Sequence, residues 1–458
     1  MYTADNNNES MTWQEIEDLS NQLATKSIEC FNRLPKAGKP TQHGSKKSEW
    51  TVLACILQVY AKSKNDYSVQ VVSLGTGLKC LPYSKLCKQG QLVHDSHAEV
   101  IAKRGFQRYI LDQIEKSFKG NDGPFCVTNK IDNDNVSPHV TLKSGYSFHM
   151  YISQSPCGDA SMTGIAESQT AESLEAFQAG SKRKNNTFDL TPLTNNIYAN
   201  KKRKVISNNS TQQQDEENGL FQRGRYGFDN LGILRTKPGR LDSEPTLCMS
   251  CSDKLARWNV LGVQSAILTQ ILENPIYLES IVIGDLFDQV SLERALYRRL
   301  EKSLEKDTLK LLPAPYKLHR PKIFKTSKSF EFSKTILESK YSIVIPSGTA
   351  ILWIEGFQKS EVIVYGRKQG APKGKPTNSK TRSSICKLAL FQKFLECYSA
   401  LRDSLSVPMD KNDDEMTYYE WKQKAKVYQE TKTCLLDECF SQWVQTPKEF
   451  EEFTIKDA

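Results

Sequence analysis

The chain alternates between segments whose apolar residues recur every three to four positions and shorter segments rich in β-branched residues. The first pattern predicts helices and the second predicts strands. Predicted helices cover Trp13 to Cys30, about Ser96 to Phe118, Cys251 to Leu272, Leu292 to Leu304, Ser384 to Leu401 and Tyr418 to Trp443. Predicted strands cover Thr51 to Tyr60, Val69 to Leu74, Phe148 to Ile152, Ile281 to Gly284, Ser342 to Ile345, Ile351 to Ile354 and Val362 to Tyr365. This alternation predicts an α/β fold in layers around a mixed central sheet.

The stretch from Ala166 to Glu244 interrupts the pattern. It is rich in Asn, Gln, Ser and Lys and carries few apolar residues before Leu220, so it has too little apolar surface to fold by itself. We expect a disordered basic insertion here, within a chain that otherwise forms one domain over residues 1–458. Two basic clusters, at 182–184 and 201–204, resemble a bipartite nuclear-import signal, and a solvated loop is the alternative interpretation.

Composition narrows the class of protein. The 458 residues carry a formal net charge of +9, which is compatible with a polyanionic partner without identifying one. Twelve cysteines are scattered along the chain, and the polar N-terminal region has no apolar secretion-signal core. We therefore expect an intracellular protein with reduced thiols, in the nucleus, the cytoplasm or both. No apolar run is long enough to span a membrane.

Four residues in three short motifs carry the candidate chemistry. They are His97 and Glu99 in HAEV, Cys157 in SPCG and Cys251 in SCSDK. A catalytic zinc keeps three protein ligands, from imidazole and thiolate groups, and leaves a fourth position for water. Hydrolytic deamination also needs a carboxylate outside the ligand set, which carries the proton from water to the ring and to the departing ammonia. Glu99 fits that role, so these residues indicate a zinc-activated deaminase.

Spacing alone does not identify the third ligand. The usual deaminase signature ends in P-C-x-x-C, but Ala160 stands where its second cysteine is expected. Cys248 and Cys251 form the only C-x-x-C and precede a predicted helix. Because a helix N-terminus favours thiolate, we expect a depressed pKa at Cys251 rather than at Cys248. Singly, an H-x-E is usually two surface residues and a C-x-x-C is as often a structural zinc half-site or redox pair, so their joint occurrence carries the inference.

The strings HAEV, SPCGDAS and MSCSDKLARWNVLGVQ, in this order, resemble the catalytic domain of the adenosine deaminases that act on RNA. That family comprises editing enzymes and tRNA-specific relatives. The likeness runs from the LPKAGKP segment near Lys36 to the QWVQTP segment near Trp443. It implies a three-layer, cytidine-deaminase-like fold enlarged by C-terminal helices. It also implies one catalytic zinc ion held by His97, Cys157 and Cys251, with Glu99 as the proton shuttle.

The N-terminal LPKAGKP-to-EWT stretch and the lack of a recognisable double-stranded-RNA-binding domain resemble the tRNA branch of the family. Its members convert the adenosine immediately 3′ of the anticodon of alanine tRNA to inosine, which implies tRNA as the partner. No membrane and no obligate protein partner is implied. Deamination of another RNA adenosine, another base or a free nucleoside remains an alternative. A catalytically silent RNA-binding protein with structural zinc is a third possibility, against which Glu99 argues because no structural site requires it.

Beside the zinc site the resemblance implies a polar relay formed by Asp95, Lys237 and Lys254, with ordinary surface charge as the alternative for Lys237. After that lysine the family's editing enzymes carry a longer loop, whose glutamate replaces the flipped base. The segment from Pro238 to Asp242 is shorter and has no aligned glutamate. This departure is in keeping with a substrate already exposed in an anticodon loop. The basic loop from Arg367 to Lys380 is either a phosphate contact or a solvated loop.

A buried anion is the last feature that the sequence indicates. Lys254, Arg257 and Trp258 share a helix face, and basic residues on buried elements imply an anion because unpaired buried cations are costly. In the resembling enzymes this anion is inositol hexakisphosphate. Its binding positions match Val100, Lys103, Arg104, Lys254, Arg257, Trp258, Lys387, Tyr418, Lys422, Tyr428, Gln429, Lys432 and Trp443. Three positions depart from the family's pattern: His94, Gln445 and Thr446.

Overall fold

The computed structural model describes residues 12–63, 66–132, 135–163, 221–223, 230–237, 243–304, 312–372, 374–404, 413 and 415–457. The helices are α1 (Leu19–Arg33), α2 (Ala98–Phe118), α3 (Cys251–Leu261), α4 (Ser265–Leu268), α5 (Gln289–Glu293), α6 (Arg299–Leu304), α7 (Lys334–Glu338), α8 (Lys387–Ser404), α9 (Tyr418–Lys424) and α10 (Lys426–Glu438). The strands are β1 (Gln42–His43), β2 (Lys47–Trp50), β3 (Leu53–Ser63), β4 (Asp66–Thr76), β5 (Leu78–Cys80), β6 (Asp95–His97), β7 (Phe125–Asp132), β8 (Asn135–Leu142), β9 (Tyr146–Gln154), β10 (Phe221–Arg223), β11 (Leu234–Thr236), β12 (Ser280–Asp285), β13 (Lys322–Lys325), β14 (Ile343–Pro346), β15 (Ala350–Ile354), β16 (Glu361–Val364) and β17 (Arg367–Lys368).

Eight strands form one mixed sheet in the order β13-β12-β9-β3-β4-β15-β16-β17. Strands β13, β12 and β9 pair in parallel, and every pairing from β9 to β17 is antiparallel. Helix α1 packs on one face and α2 on the other. The predicted α/β fold with a mixed central sheet is therefore confirmed.

Strand β3 shows how the sequence builds these layers. Leu53, Cys55 and Leu57 join the core cluster that contains α1, whereas Ala54 and Ile56 join the cluster that contains α2. All five side chains are fully buried. A strand covered on both faces is almost continuously apolar instead of alternating, which is the pattern that the sequence shows here.

Two glycines bring α2 into close contact with the sheet. A Cβ at Gly75 on β4 would lie 2.4 Å from the carbonyl oxygen of Ala98, and one at Gly105 on α2 would lie 2.2 Å from Ser73 Oγ. No larger residue fits at either position without displacing its neighbour. Because α2 begins directly after His97, this contact fixes the position of the HAEV motif against the sheet.

Several predicted boundaries were wrong. The helix predicted from Cys251 to Leu272 ends at Leu261, because Gly262 follows with φ at +74°. The helix predicted from Tyr418 to Trp443 is divided into α9 and α10 at Ala425, whose ψ is 64°. A π-helical segment, Arg294–Arg298, interrupts the helix predicted from Leu292. The hairpin of β7 and β8 was not predicted, although Phe125, Val127 and Ile131 alternate with polar residues along β7.

Most of the predicted insertion, including both basic clusters and the segment from Pro238 to Asp242, lies outside the described residues. Within its predicted bounds, β10 and β11 pair in parallel, and Leu234, Arg235, Thr236 and Lys237 are buried. The insertion is therefore shorter at its C-terminal end than expected. Among the described residues, no helix combines the length and apolar character needed to cross a membrane.

Candidate active site

His97 is the last residue of β6, which pairs with β5 so that Leu78 lies opposite His97. Asp95 Oδ1 lies 2.8 Å from His97 Nδ1 and accepts the His97 backbone N–H at 3.0 Å. A carboxylate at Nδ1 fixes the ring orientation and leaves Nε2 to face a ligand, as in carboxylate–histidine–metal arrangements. The side chain of His97 is 14% exposed, so the site is accessible from solvent.

Cys157 and Cys251 come together where β9 ends and α3 begins. The backbone N–H of Cys251 donates to Cys157 Sγ at 3.4 Å, and that of Ser252 donates to the Cys157 carbonyl at 3.0 Å. Gly158 has φ at +105°, and a Cβ there would lie 2.2 Å from Ser250 Oγ. Ser250 caps α3 by accepting the Asp253 N–H. The chain thus turns at Gly158, directly after Cys157, and this turn packs against the N-terminus of α3.

Glu99 lies in the first turn of α2 with only 3% of its surface exposed. Its Oε2 atom is 3.2 Å from Cys251 Sγ. Burial, followed by the charge on Cys157, raises the pKa of Glu99 above its usual value. The structure therefore brings the carboxylate to the two cysteine sulfurs and raises its proton affinity, which favours a group that accepts and returns a proton.

The three predicted relay residues form one buried chain of contacts. Asp95 Oδ2 accepts from Lys237 Nζ at 2.8 Å and also pairs with Lys254. Lys237 Nζ in turn donates to Cys251 Sγ at 3.1 Å. Burial alone would raise the pKa of Asp95, but the two ammonium groups outweigh it and hold that pKa well below its usual range. Asp95 therefore stays ionised and joins His97 to Lys237.

The expected order of the two C-x-x-C thiols is reversed. Burial, together with the neighbouring Cys157, raises the pKa of Cys251 well above its ordinary value. A hydrogen bond with Cys80 lowers the pKa of Cys248 to about 7, against the effect of burial. Burial and the neighbouring Cys157 sulfur thus set the direction of the pKa shift at Cys251.

A basic cavity of about 300 Å³ lies behind the relay, and Lys254 lines it. Of the predicted anion-binding residues it is lined by Val100, Lys103, Arg104, Lys254, Arg257, Trp258, Lys387, Lys422, Tyr428, Lys432 and Trp443. Tyr418 lines an adjoining cavity of about 130 Å³ that shares several of these residues. Gln429 lines neither, and its side-chain amide donates to the Lys422 carbonyl at 2.8 Å. The three departures, His94, Gln445 and Thr446, also line the larger cavity.

Burial and, after it, repulsion between neighbouring cations lower the pKa values of two lysines in the cavity. Burial and then Arg104 and Arg257 lower the pKa of Lys103 well below its usual value. Burial and then Arg257 lower the pKa of Lys432 to about 8. Among the lining side chains seven basic groups face two acidic ones, Asp95 and Glu451. Such a cavity attracts a polyanion strongly, since each unneutralised buried charge carries a large desolvation penalty.

Comparison with known proteins identifies the chain. A family model of the adenosine-deaminase (editase) domain matches residues 73–447. The chain belongs to the adenosine-deaminase (editase) family. This deaminase is 32% identical over 440 residues to "tRNA-specific adenosine deaminase 1" of Drosophila melanogaster, covering 94% of this chain and 96% of that protein. The Homo sapiens protein of the same description is 30% identical over 511 residues, covering 92% and 96%. The "double-stranded RNA-specific adenosine deaminase" of Mus musculus is 30% identical over 95% of this chain, but over 32% of its own length.

Three further residues lie around the site of this deaminase, and two of them, Cys80 and Glu451, were not predicted from the sequence. Cys80 and Cys248 join Asp95 in a group whose potential metal-ligand atoms all lie within 4.8 Å of one another. The ammonium groups of Lys237 and Lys254 already pair with this carboxylate, so they would repel a cation there.

Glu451 is the third of these residues, and it pairs with Lys387 at 3.2 Å and with Lys422 inside the basic cavity. These two lysines, against the effect of burial, hold the pKa of Glu451 at about 2. An acidic residue in a predominantly basic cavity has no signal in the sequence. The closeness of Cys80 to Asp95 could have been inferred only from the pairing of β5 with β6, which places the two residues opposite each other.

Proposed function

We propose that this deaminase converts adenosine to inosine in tRNA, at the adenosine immediately 3′ of the anticodon of alanine tRNA. The observation that carries the proposal is the buried Glu99 carboxylate, 3.2 Å from Cys251 Sγ, beside Cys157 and His97. The relatives described as tRNA-specific adenosine deaminases cover nearly the whole chain. Their similarity supports tRNA as the substrate class.

The donor set fits one zinc ion. His97, Cys157 and Cys251 would hold it, because two sulfurs and one oriented imidazole nitrogen meet the ligand preference of zinc. When bound, zinc supplies the Lewis acidity that lowers the pKa of water to about 7. The Cys80, Asp95 and Cys248 group is the poorer site, since Asp95 already pairs with two ammonium groups.

The chain's own groups then handle the proton. Glu99 would accept it from the attacking water and deliver it to the purine ring and to the departing ammonia. Asp95 holds the His97 ring in position, and Lys237 donates to Cys251 Sγ and offsets the negative charge of the thiolate pair. An RNA base that is already unpaired can enter such a site without extrusion from a duplex.

Deamination of transcripts tests this proposal. Purified protein is incubated with alanine tRNA and with the same tRNA carrying guanosine in place of the adenosine 3′ of the anticodon. We expect inosine in the first RNA alone, and we expect its formation to stop after zinc chelation and to return on adding zinc. Inosine formation that persists in metal-free protein would contradict the zinc mechanism.

Editing of another RNA adenosine is the second candidate, because the mouse double-stranded-RNA-specific relative aligns with 95% of this chain. A duplex RNA with a mismatched adenosine, assayed beside the tRNA, separates the two activities. Inosine in the duplex and none in tRNA would favour the second candidate. Inosine in neither RNA would contradict both.

We also propose that the basic cavity binds inositol hexakisphosphate as a structural cofactor. Its seven basic side chains supply the charge that such a ligand requires, and Lys254 connects the cavity to Asp95. The protein should purify with the ligand, detectable by mass spectrometry of the denatured sample. Active, phosphate-free protein recovered from a host that lacks inositol hexakisphosphate would overturn this proposal.

A further inference from the structure

A third cavity, of about 310 Å³, lies beside the strand pair that carries His97. Leu78, Lys79 and Cys80 of β5 and Ser96 of β6 line it, and the turn after β16 forms the opposite wall. Leu78 lies directly opposite His97 in the β5–β6 register. The cavity therefore begins one strand away from the catalytic histidine. Its volume falls at the lower end of the roughly 300–1,000 Å³ range of small-ligand pockets.

Tyr365 stands at the rim of this cavity and is 82% exposed, more than any other large apolar side chain in the described part of the chain. Its φ is +49°, a left-handed conformation that is unfavourable for a tyrosine. Surrounding contacts hold the turn in place. The Val93 N–H donates to the Gly366 carbonyl at 3.0 Å, and a Cβ at Gly366 would lie 2.7 Å from the Val93 carbonyl oxygen. The turn thus holds the aromatic ring in solvent. The turn itself contacts Val93, which precedes Asp95 by two residues.

The charges around the ring favour an RNA partner. Lys79 lines the cavity and is exposed, and Arg367 and Lys368 directly follow the turn. Arg367 donates to the Lys375 carbonyl at 2.9 Å, and Lys368 pairs with Glu361 at 3.1 Å, so Lys79 and Arg367 are the cations near the ring that no carboxylate neutralises in the described part of the chain. An exposed aromatic ring flanked by cations is the arrangement by which proteins bind unpaired nucleotides, through base stacking and phosphate contact.

We propose that Tyr365 is a stacking platform for a base that flanks the reacting adenosine, with the adjoining phosphate facing Lys79 and Arg367. This inference rests on the proposed deamination of RNA and adds a specificity-determining contact outside the zinc site. Because the base stacks equally in the ground state and in the transition state, the contact contributes to binding and leaves the chemical step unchanged.

Steady-state kinetics with alanine tRNA test the assignment. Tyr365→Asn removes the ring but keeps a residue that tolerates positive φ, and Tyr365→Phe keeps the ring. Stacking of one base corresponds to roughly 5- to 150-fold in affinity, so we expect Tyr365→Asn to raise KM by about 10-fold or more while kcat stays within about 2-fold. Tyr365→Phe and the control Tyr67→Asn, at an exposed tyrosine on β4, should behave as the wild type does.

Photocrosslinking gives a readout that does not depend on catalysis. Alanine tRNA with 5-iodouridine in the anticodon loop is irradiated with the protein and digested with trypsin. We expect the crosslink in the peptide of residues 360–367, and its loss in Tyr365→Asn.

A crosslink confined to other peptides, or wild-type KM in Tyr365→Asn, would overturn the proposal and leave protein docking as the use of this ring. If the wild type forms no inosine, the proposed function fails. The crosslink would still decide whether an RNA base contacts Tyr365.

Discussion

Asp95 receives three neighbours at once: His97 on one carboxylate oxygen, and Lys237 and Lys254 on the other. A lone buried carboxylate would take up a proton, but two adjacent ammonium groups keep it charged. Its charge in turn keeps Lys237 protonated against the effect of burial. Asp95 and Lys237 thus depend on each other for their ionisation, so loss of either one perturbs the site.

At Glu99, the replacement Glu99→Gln removes the proton carrier and preserves the side-chain shape. We expect kcat to fall by about 100- to 10,000-fold, the usual contribution of general acid–base catalysis, while zinc content and KM for tRNA stay near wild type. Inosine formation, metal analysis and tRNA binding check this. The control Glu115→Gln, on the same helix but beside Lys119 and Lys393, should keep full kcat. A normal kcat in Glu99→Gln would exclude Glu99 as the shuttle.

Single residues were predictable where chemistry restricts their type. His97, Glu99, Cys157 and Cys251 lie in motifs whose residue types the reaction requires. The structure places Cys157 and Glu99 in contact with Cys251, and Asp95 and Lys237 connect His97 to the same sulfur. The pKa order of the cysteines was not predictable. It depends on which buried neighbour each sulfur meets, Cys157 for Cys251 and Cys80 for Cys248, and that is a property of tertiary packing.

Between β4 and α2, the contact leaves no room for a side chain. In Gly75→Ala the added Cβ would meet the backbone of Ala98 and Ala102, which cannot rotate away. Overpacking of this kind costs about 1–3 kcal/mol, and backbone contacts place this variant near the upper value. We expect lower unfolding free energy in denaturant titrations and reduced activity, because the same contact positions His97. Gly348→Ala, where the Cβ meets no atom within 4 Å, is the matched control and should retain stability. Equal stability of the two variants would contradict the packing argument.

Strand β9 carries a buried imidazole that makes stability depend on pH. His149 contacts Ser147 and Ser280 at 2.9 Å and 2.7 Å, and burial lowers its pKa to about 3. In the unfolded chain this imidazole has a pKa of about 6.5. Between pH 6.5 and pH 3 it is therefore protonated in the unfolded chain and neutral in the folded chain. Stability present above pH 6.5 is therefore lost as pH falls toward 3, by up to about 1.4 kcal/mol per pH unit.

His149→Gln removes this titration, so its unfolding free energy should change less between pH 7.5 and pH 5. Chemical denaturation at both pH values, compared with the wild type, measures the difference. Parallel losses in the two proteins would show that other groups control the acid response.

Strands and helices were predictable in type more than in extent. The sheet strands around Ile56, Val72 and Ile281 are apolar because both faces are covered, and that signal is local. The end of α3 depends on Gly262, and the break at Ala425 depends on how α9 and α10 pack. The helical spacing of apolar residues continues across both points, because this spacing does not depend on where the neighbouring elements end.

At the scale of the whole molecule, removing one cation from the basic cavity should change stability in opposite directions, depending on whether the cavity holds an anion. Lys432→Met removes one buried cation whose pKa is lowered to about 8. With a polyanion bound, the variant should lose affinity for it and unfold at a lower temperature. With no anion, the variant would relieve repulsion and unfold at a higher temperature.

Thermal unfolding together with phosphate content per protein distinguishes these outcomes. Lys426→Met, at an exposed position on the same helix, is the matched control and should change neither quantity. An increase in the unfolding temperature of Lys432→Met would count against a bound polyanion.

The contact between Cys251 and Cys157 joins positions 94 residues apart. During synthesis, the proposed zinc ligand set of His97, Cys157 and Cys251 would stay incomplete until the chain has emerged beyond α3, so the nascent protein could not bind the metal through that full donor set. Contacts of such long sequence separation also form late and slow folding. We therefore expect metal loading to follow translation, and a chain truncated before Cys251 to bind no catalytic zinc, even though β3, β4 and β9 are already present.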